Sequence, residues 1–178
     1  MKALRIWLIT SFLFIVIWCF IYLVPLTSAL VFYEERSPVI RAYLPLEADD
    51  TFMITFTHSI HLTEVVEKYR LLETSEIEQY EMVFEQFGIG MPSVVGAGET
   101  LIYDEGKYYY GPADQVFSEL KIRNGKTVSK HRLSYQRENE KELSEVLFND
   151  YFEPGSWYTV KVDHITIWEM VKGMKINE

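Results

Sequence analysis

The sequence predicts a mostly β fold: a β-sandwich or small open barrel of short antiparallel strands with one short helix, preceded by a single N-terminal transmembrane helix. Two observations predict it. A long uncharged run, from Ile6 to Tyr33, lies near the start of the chain. After that run, short apolar and aromatic segments alternate with turn residues at intervals of roughly 8–12 residues, which is typical of sandwiches and barrels.

The uncharged run follows Lys2 and Arg5. Its most apolar part, residues 6–24, would extend about 28 Å as an α-helix, close to the thickness of a bilayer's hydrocarbon core. We therefore expect residues 1–33 to form a signal anchor or transmembrane helix, with residues 6–24 in contact with membrane lipid. Residues 34–178 would then form an extracytoplasmic β domain. Lys2 and Arg5 favour a cytoplasmic N-terminus, because positive charge accumulates on that side of the cell membrane.

Removal of the leader after export is the alternative. Thr27, Ser28 and Ala29 are small residues of the kind that a signal peptidase recognises, and they follow the helix breaker Pro25. The apolar run is longer than the roughly 7–15 residues of a removable signal, which favours an uncleaved anchor. A lipoprotein signal requires small residues before its cysteine, whereas Cys19 follows Trp18. We therefore expect Cys19 to be a thiol inside the membrane.

Composition limits the partners of the remaining chain. All 26 acidic residues follow Tyr33, and the net charge of the whole chain is −9. A domain this acidic is repelled by nucleic acid, so we predict no nucleic-acid partner and favour proteins, cations or basic solutes. No cysteine follows Cys19, so disulfides do not brace the domain and its stability must come from apolar burial.

The order of elements follows from local patterns. Residues 34–50 are expected to be a connector that leads into a first short strand, and residues 51–60 alternate as a half-buried strand does. The Asn124-Gly125 pair predicts a tight hairpin between residues 120–123 and 126–128. Leu143, Val146 and Leu147 have the spacing of one short helix. Further strands are predicted over 65–73, 79–87 and 157–163, with a hairpin over 101–110 and a break in strand structure at 88–92.

A turn centred on Leu62-Thr63 would place His58 directly opposite Glu67 on an apolar sheet face. The two side chains are either buried and hydrogen-bonded to each other, or they form an ionisable pair that binds a ligand or partner. If the segment were helical, His58, His61, Glu64 and Glu67 would share one face and resemble a metal site. The β-type alternation before His58 argues against that helix. We therefore predict no metal site.

Motifs for catalysis are missing from the sequence. No serine nucleophile elbow and no metalloprotease helix motif is present. The Gly88-x-Gly90 pattern lacks the Lys-Ser/Thr of a phosphate loop. We predict no cofactor and no catalytic residues, and a hydrolase is the least favoured interpretation.

Several short motifs resemble the bacterial domain-of-unknown-function family numbered 1850. They include Phe56-Thr57-His58-Ser59-Ile60, Glu67-Lys68-Tyr69-Arg70 and Phe87-Gly88-Ile89-Gly90-Met91-Pro92, with weaker likeness at residues 44–46 and 153–162. Ile89 departs from the family, in which alanine is expected between the two glycines. The residues that match motif positions, and are therefore the candidate binding residues, are His58, Ser59, Glu67, Gly88, Gly90 and Pro92.

The resemblance implies a small exported or membrane-anchored protein. Members of the family are often encoded beside tripartite (TRAP-type, TAXI subclass) transporters. The expected role is therefore that of an accessory protein of unknown activity, whose partner is the transporter permease or its solute-binding protein. The alternative is an extracytoplasmic domain that binds a small ligand or cation through His58 and Glu67.

Overall fold

Two β-sheets pack face to face in the computed structural model, which describes residues 2–112, 115–137 and 142–177. An apolar helix, α1 (Lys2–Leu23), precedes the sheets, and a short helix, α2 (Ile167–Lys172), lies near the C-terminus. The predicted class, a mostly β fold with one short helix after an N-terminal apolar helix, is confirmed. The strands are β1 (Pro25–Glu34), β2 (Ile40–Leu44), β3 (Thr51–Thr57), β4 (Glu64–Leu71), β5 (Ile77–Phe84), β6 (Thr100–Asp104), β7 (Lys107–Gly111), β8 (Val116–Phe117), β9 (Leu120–Arg123), β10 (Arg132–Gln136), β11 (Ser144–Leu147), β12 (Trp157–Thr166) and β13 (Met174–Lys175).

Within the described residues, the first sheet has the strand order β13-β2-β1-β12-β9. The second sheet has the order β11-β10-β3-β4-β5-β7-β6, and β8 pairs with β5. The pairings are antiparallel except for β13 with β2, which is parallel. Glu105 and Gly106 both have positive φ, as the tight turn between β6 and β7 requires, so the predicted hairpin there is confirmed.

The main core lies between the sheets. Phe32 of β1 and Phe52 of β3 are fully buried in it, and Phe152 lies 4.7 Å from Phe32 between ring centroids. A smaller core lies on the outer face of the first sheet, where Met170 of α2 packs against it. Strand β1 contributes to both cores, so four consecutive residues, Ala29 to Phe32, are completely buried.

The first predicted segment, residues 1–33, contains two elements of the structure. The helix ends at Leu23, and residues 25–34 form strand β1 of the sandwich instead of the last part of an anchor that extends to Tyr33. Pro25 lacks the N–H that a continuing helix needs, so the helix stops there. Because residues 29–32 are buried on both faces of the sheet, this part of β1 is continuously apolar and resembles an extension of the helix.

Two local predictions are wrong. Residues 144–147 form β11, which pairs with β10, and a short 3-10 turn over Phe148–Asp150 follows it. Residues 126–128 do not pair with β9, whose partner is β12. Asn124 is buried, and its side-chain amide donates to Asn149 Oδ1 at 2.9 Å and to the Phe152 carbonyl at 2.8 Å. Its role is therefore a tertiary contact and not a hairpin turn.

The two ends of the sandwich differ in their distance from α1. At the end that we call the anchor end, β1 starts at Pro25, opposite Thr166 of β12. The start of β3 lies at the same end, because Thr27 and Ser28 line one cleft together with Asp50. The opposite end, which we call the far end, contains the β3–β4 loop. Seven residues of β3, at about 3.3 Å each, carry that loop roughly 23 Å from the anchor end.

Candidate functional site

The β3–β4 loop differs from the predicted two-residue turn. Thr57 pairs with Glu64 and Ile54 pairs with Glu67, so His58 is not opposite Glu67 and the predicted pair is wrong. The loop is longer because the His58 N–H donates to the Thr63 carbonyl at 2.8 Å and the Leu62 N–H donates to the His58 carbonyl at 2.9 Å. Leu62 adopts a φ of 58°, which closes the four-residue loop, residues 59–62, between the paired residues His58 and Thr63.

His58 connects two loops at the far end. The residue is only 8% exposed, and its Nδ1 lies 3.4 Å from the N–H groups of Ile60 and His61. Its Nε2 lies 3.2 Å from the carbonyl of Ile89 in the next loop. A neutral imidazole with its proton on Nε2 satisfies both sets of contacts, because Nδ1 then accepts and Nε2 donates. His58 therefore joins the β3–β4 loop to the loop that follows β5.

Gly88 packs against the two imidazoles of this site. The rings of His58 and His61 are stacked, with centroids 5.0 Å apart. A Cβ atom at position 88 would lie 2.7 Å from His61 Nε2 and 3.4 Å from His58 Cε1, closer than ordinary packing allows for the first contact. Gly90 has a φ of 89°, in the left-handed region that favours glycine. Gly88 therefore allows a close approach between two loops, and Gly90 allows a turn. These are the roles expected of glycines that do not belong to a phosphate loop.

The structure brings His58, Gly88 and Gly90 together and places the other candidates around or away from them. Ser59 is exposed in the β3–β4 loop, and Pro92 is half-buried two residues after Gly90. Glu67 belongs to a different group. It lies between Ile54 and Met82, which are its partners in the neighbouring strands.

The group around Glu67 is polar and faces inward. The Tyr69 hydroxyl donates to Glu67 Oε2 at 2.8 Å. Burial raises the pKa of Glu67, and the hydrogen bond from Tyr69 opposes that rise. Gln79 pairs with Tyr69 across the strands, and its buried Nε2 has no hydrogen-bond partner within the part of the chain that the structure describes. The structure therefore does not bring His58 and Glu67 together as the pair that the alternative ligand site requires.

Sequence reasoning missed the apolar surface around His58. We call this the far-end apolar surface, and it consists of Ile60, Leu62, Phe87 and Ile89. Ile89 is 83% exposed and Ile60 is 62% exposed, although both are large and aliphatic. The signal was present in the sequence, because apolar residues occur between turn formers where a solvated loop would be polar.

Metal-ligating side chains do not converge at this site. Among residues 2–112, 115–137 and 142–177, no group of three or more His, Cys, Asp or Glu side chains is placed to hold a metal ion. His58 is occupied by backbone groups of its own loop and of Ile89. The arrangement joins two loops and presents an apolar surface.

The architecture is thus a two-sheet β domain with an apolar helix at one end and a histidine-joined pair of loops at the other. The sequence profile described as a domain of unknown function, DUF1850, matches residues 52–141. This match covers half of the chain and includes every candidate residue from His58 to Pro92, so the protein belongs to the DUF1850 family. No curated protein and no solved structure is significantly similar to the chain.

Proposed function

We propose that the protein is a membrane-anchored, extracytoplasmic accessory protein without catalytic activity. Its partner is the permease or the solute-binding protein of a tripartite, TRAP-type transporter of the TAXI subclass. The observation that carries the proposal is the far-end apolar surface, which lies at the opposite end of the sandwich from α1. The choice of partner rests on the transporter association that family membership implies.

The position of β1 supports a retained anchor. The helix α1 is long and apolar enough to cross a membrane. Only Val24 separates it from β1, whose residues 25–29 pair with β12. Cleavage after Ala29 would remove half of this strand. Because that loss would remove four residue pairings between β1 and β12 and take buried Ala29 from the outer core, we favour an uncleaved anchor.

Charge supports the orientation. Lys2 and Arg5 precede the span, and every acidic residue follows it. Under the positive-inside rule, Lys2 and Arg5 favour a cytoplasmic N-terminus, with the β domain outside the cytoplasm.

Exposure of the far-end loops supports binding to a protein. Clustered apolar side chains on a surface cost solubility unless a partner covers them, so they are typical of interaction sites. Phe87 is held in place by Phe84 and Tyr108, with ring centroids 5.3 Å and 4.4 Å away. A surface that is already ordered binds with a smaller loss of conformational entropy.

Photo-crosslinking in membranes of the native host would test the proposal. A crosslinking amino acid at position 89 should capture the permease or the solute-binding protein, and the same amino acid at position 143 should not. Leu143 is 50% exposed but lies outside the matched residues, which makes it a suitable control. Ile89→Asp should abolish co-purification of the partner, whereas Leu143→Asp should leave it unchanged. Equal capture from both positions, or recovery of neither transporter subunit, would refute the proposed partner.

A further inference from the structure

A line of aromatic side chains connects α2 to the end of the membrane-spanning helix. The ring of Trp168, in α2, lies 4.7 Å from the ring of Tyr22, between centroids. Tyr22 in turn stacks on Trp18, with centroids 4.2 Å apart. Since Tyr22 lies one residue before the end of α1, Trp168 is held beside the C-terminal end of that helix.

Helix α2 is fixed in this position by its cap and by one buried face. The Thr166 hydroxyl accepts from the Glu169 N–H at 3.3 Å, and Glu169 Oε2 accepts from the Thr166 N–H at 2.8 Å. This reciprocal capping box defines where the helix begins. Met170 packs on the outer core of the first sheet. The helix therefore cannot turn its apolar residues inward without breaking these contacts.

The opposite face of α2 is apolar and basic, and it is exposed. Trp168 and Val171 are three residues apart and share that face, and Val171 is 73% exposed. Lys172 Nζ lies 4.6 Å from the centre of the Trp168 ring. Lys175 follows in β13 and is also exposed. We call Trp168, Val171, Lys172 and Lys175 the membrane-facing patch.

We propose that the membrane-facing patch rests in the headgroup region of the same bilayer that α1 crosses. Tryptophan and tyrosine favour this region because one part of each ring system is apolar and another is polar. Lysine side chains can lay their methylene groups on the apolar layer while the ammonium groups reach lipid phosphates. The inference rests on the proposed anchoring. Its consequence is a domain held at two points, with the far end directed away from the membrane.

The charge of this face suits contact with lipid headgroups. The chain is acidic, and an acidic surface is repelled by anionic headgroups. The one acidic residue of α2, Glu169, is engaged with Thr166 in the capping box. The patch therefore presents two lysines and two apolar side chains to the lipid, beside the point where α1 ends.

Depth measurements on the full chain in vesicles would test the inference. In a Cys19→Ser background, an environment-sensitive fluorophore is attached at Val171→Cys, and at Ile60→Cys as an exposed far-end control. The vesicles contain phosphatidylcholine with phosphatidylglycerol and a headgroup-level nitroxide lipid. The label at position 171 should be quenched at least about two-fold more than the label at position 60, because nitroxide quenching requires close approach to the interface. Equal quenching at the two positions would overturn the inference.

A third label separates this inference from the anchoring on which it rests. A fluorophore at Val16→Cys, in the middle of α1, should be quenched by nitroxides placed deep in the acyl chains. If position 16 is quenched and position 171 is not, the patch is wrong and the anchor stands. If position 16 is accessible to water, the proposed anchoring itself fails.

The lysines have their own test. With the label at position 171, the substitutions Lys172→Glu and Lys175→Glu should reduce quenching in vesicles that contain phosphatidylglycerol, because each lysine contributes attraction to an anionic surface. The matched substitutions Lys172→Gln and Lys175→Gln should reduce it less. Unchanged quenching in both variants would remove the lysines from the patch.

Discussion

The anchor end and the far end of the sandwich both expose apolar side chains, and the chemistry around those side chains differs. At the anchor end, Trp168 and Val171 stand beside Lys172 and Lys175. At the far end, Ile60 and Ile89 lie in loops, residues 58–63 and 85–99, that contain neither lysine nor arginine. Aromatic and basic residues together are typical of a lipid interface, whereas aliphatic residues without positive charge are typical of a protein interface.

The two ends also differ in how the family profile covers them. The far-end loops lie within residues 52–141, and α1, β1 and α2 lie outside this range. The matched half therefore contains the proposed partner surface, and the unmatched segments contain the proposed membrane contacts. The comparison teaches that exposed apolar residues in one small domain can serve two purposes, which the surrounding charge distinguishes. Four sets of substitutions test the contacts that build the two ends and the strands between them.

The largest effect is expected in β1. Val31 is completely buried in the outer core, so Val31→Asp would bury an unpaired carboxylate and should cost more than about 4 kcal/mol of unfolding free energy. Val39→Asp, at an exposed valine outside the membrane-facing patch and the far-end apolar surface, should change stability by less than about 0.5 kcal/mol. Urea unfolding of the full chain in detergent micelles, followed by tryptophan fluorescence, measures both. Similar costs would mean that β1 is not part of the sandwich.

The second effect is at the far end, where His58 joins two loops. His58→Ala leaves the N–H groups of Ile60 and His61 and the carbonyl of Ile89 without their partner, and should cost about 1–3 kcal/mol. It should also speed proteolysis within residues 85–99, because the loop loses its link to the β3–β4 loop. His131→Ala provides a histidine control, because that ring contacts Phe56, Phe148 and the Gly125 N–H. Unchanged cleavage in His58→Ala would show that the link is not needed to order the loop.

The third effect tests the close approach of Gly88 to His61. Gly88→Ala should cost about 1 kcal/mol or more, because the new Cβ must displace the His61 ring. His61→Ala removes the clash, so the double variant Gly88→Ala His61→Ala should recover most of that cost. The double-mutant cycle by urea unfolding measures the coupling. A coupling energy near zero would contradict the contact.

The smallest effect is expected at Glu67, which lies between the two ends. Its pKa is raised above the ordinary value of about 4.5 in the folded chain. Its contribution to stability is therefore fully present below that ordinary value and is lost as pH rises through the folded pKa. Each unit of rise in pKa corresponds to about 1.4 kcal/mol. Glu67→Gln keeps an acceptor for the Tyr69 hydroxyl and removes the charge.

At pH 8, Glu67→Gln should therefore stabilise the chain, by less than about 1 kcal/mol because the Tyr69 hydrogen bond already offsets part of the burial. The difference from the parent chain should shrink as the pH is lowered to 4. Unfolding curves between pH 4 and pH 8 measure it, and Glu73→Gln, at an exposed glutamate, serves as the control. A stabilisation that grows toward low pH would contradict the direction of the pKa shift.

Local patterns were sufficient where one face of a strand is buried and the other is solvated. The alternation over residues 51–57 predicted β3, and the aspartate, glutamate and glycine at 104–106 predicted the turn between β6 and β7. The same reasoning failed for β1, because burial on both faces removes the alternation. It also failed for β11, where the helix-like spacing of Leu143, Val146 and Leu147 covers too few residues to outweigh pairing with β10.

The candidate site was predicted in part. His58, Gly88 and Gly90 are brought together, as their joint presence in the family motif suggested. The separation of Glu67 could not be predicted, because register depends on loop length and a two-residue turn and a four-residue loop both suit the sequence between the strands. The capping box of Thr166 and Glu169 was a readable signal for the short helix, and it was missed.

By itself, the sequence determined the apolar helix, the excess of negative charge after it, the mostly β character and the family motif. These properties depend on residues that are near each other in the chain, where propensity and periodicity operate. Only the tertiary structure decided that β1 belongs to the sandwich, that Asn124 holds a distant turn, and that His58 contacts Ile89 instead of Glu67. Those outcomes depend on contacts between distant segments, and their energies come from burial and pairing that no local pattern specifies.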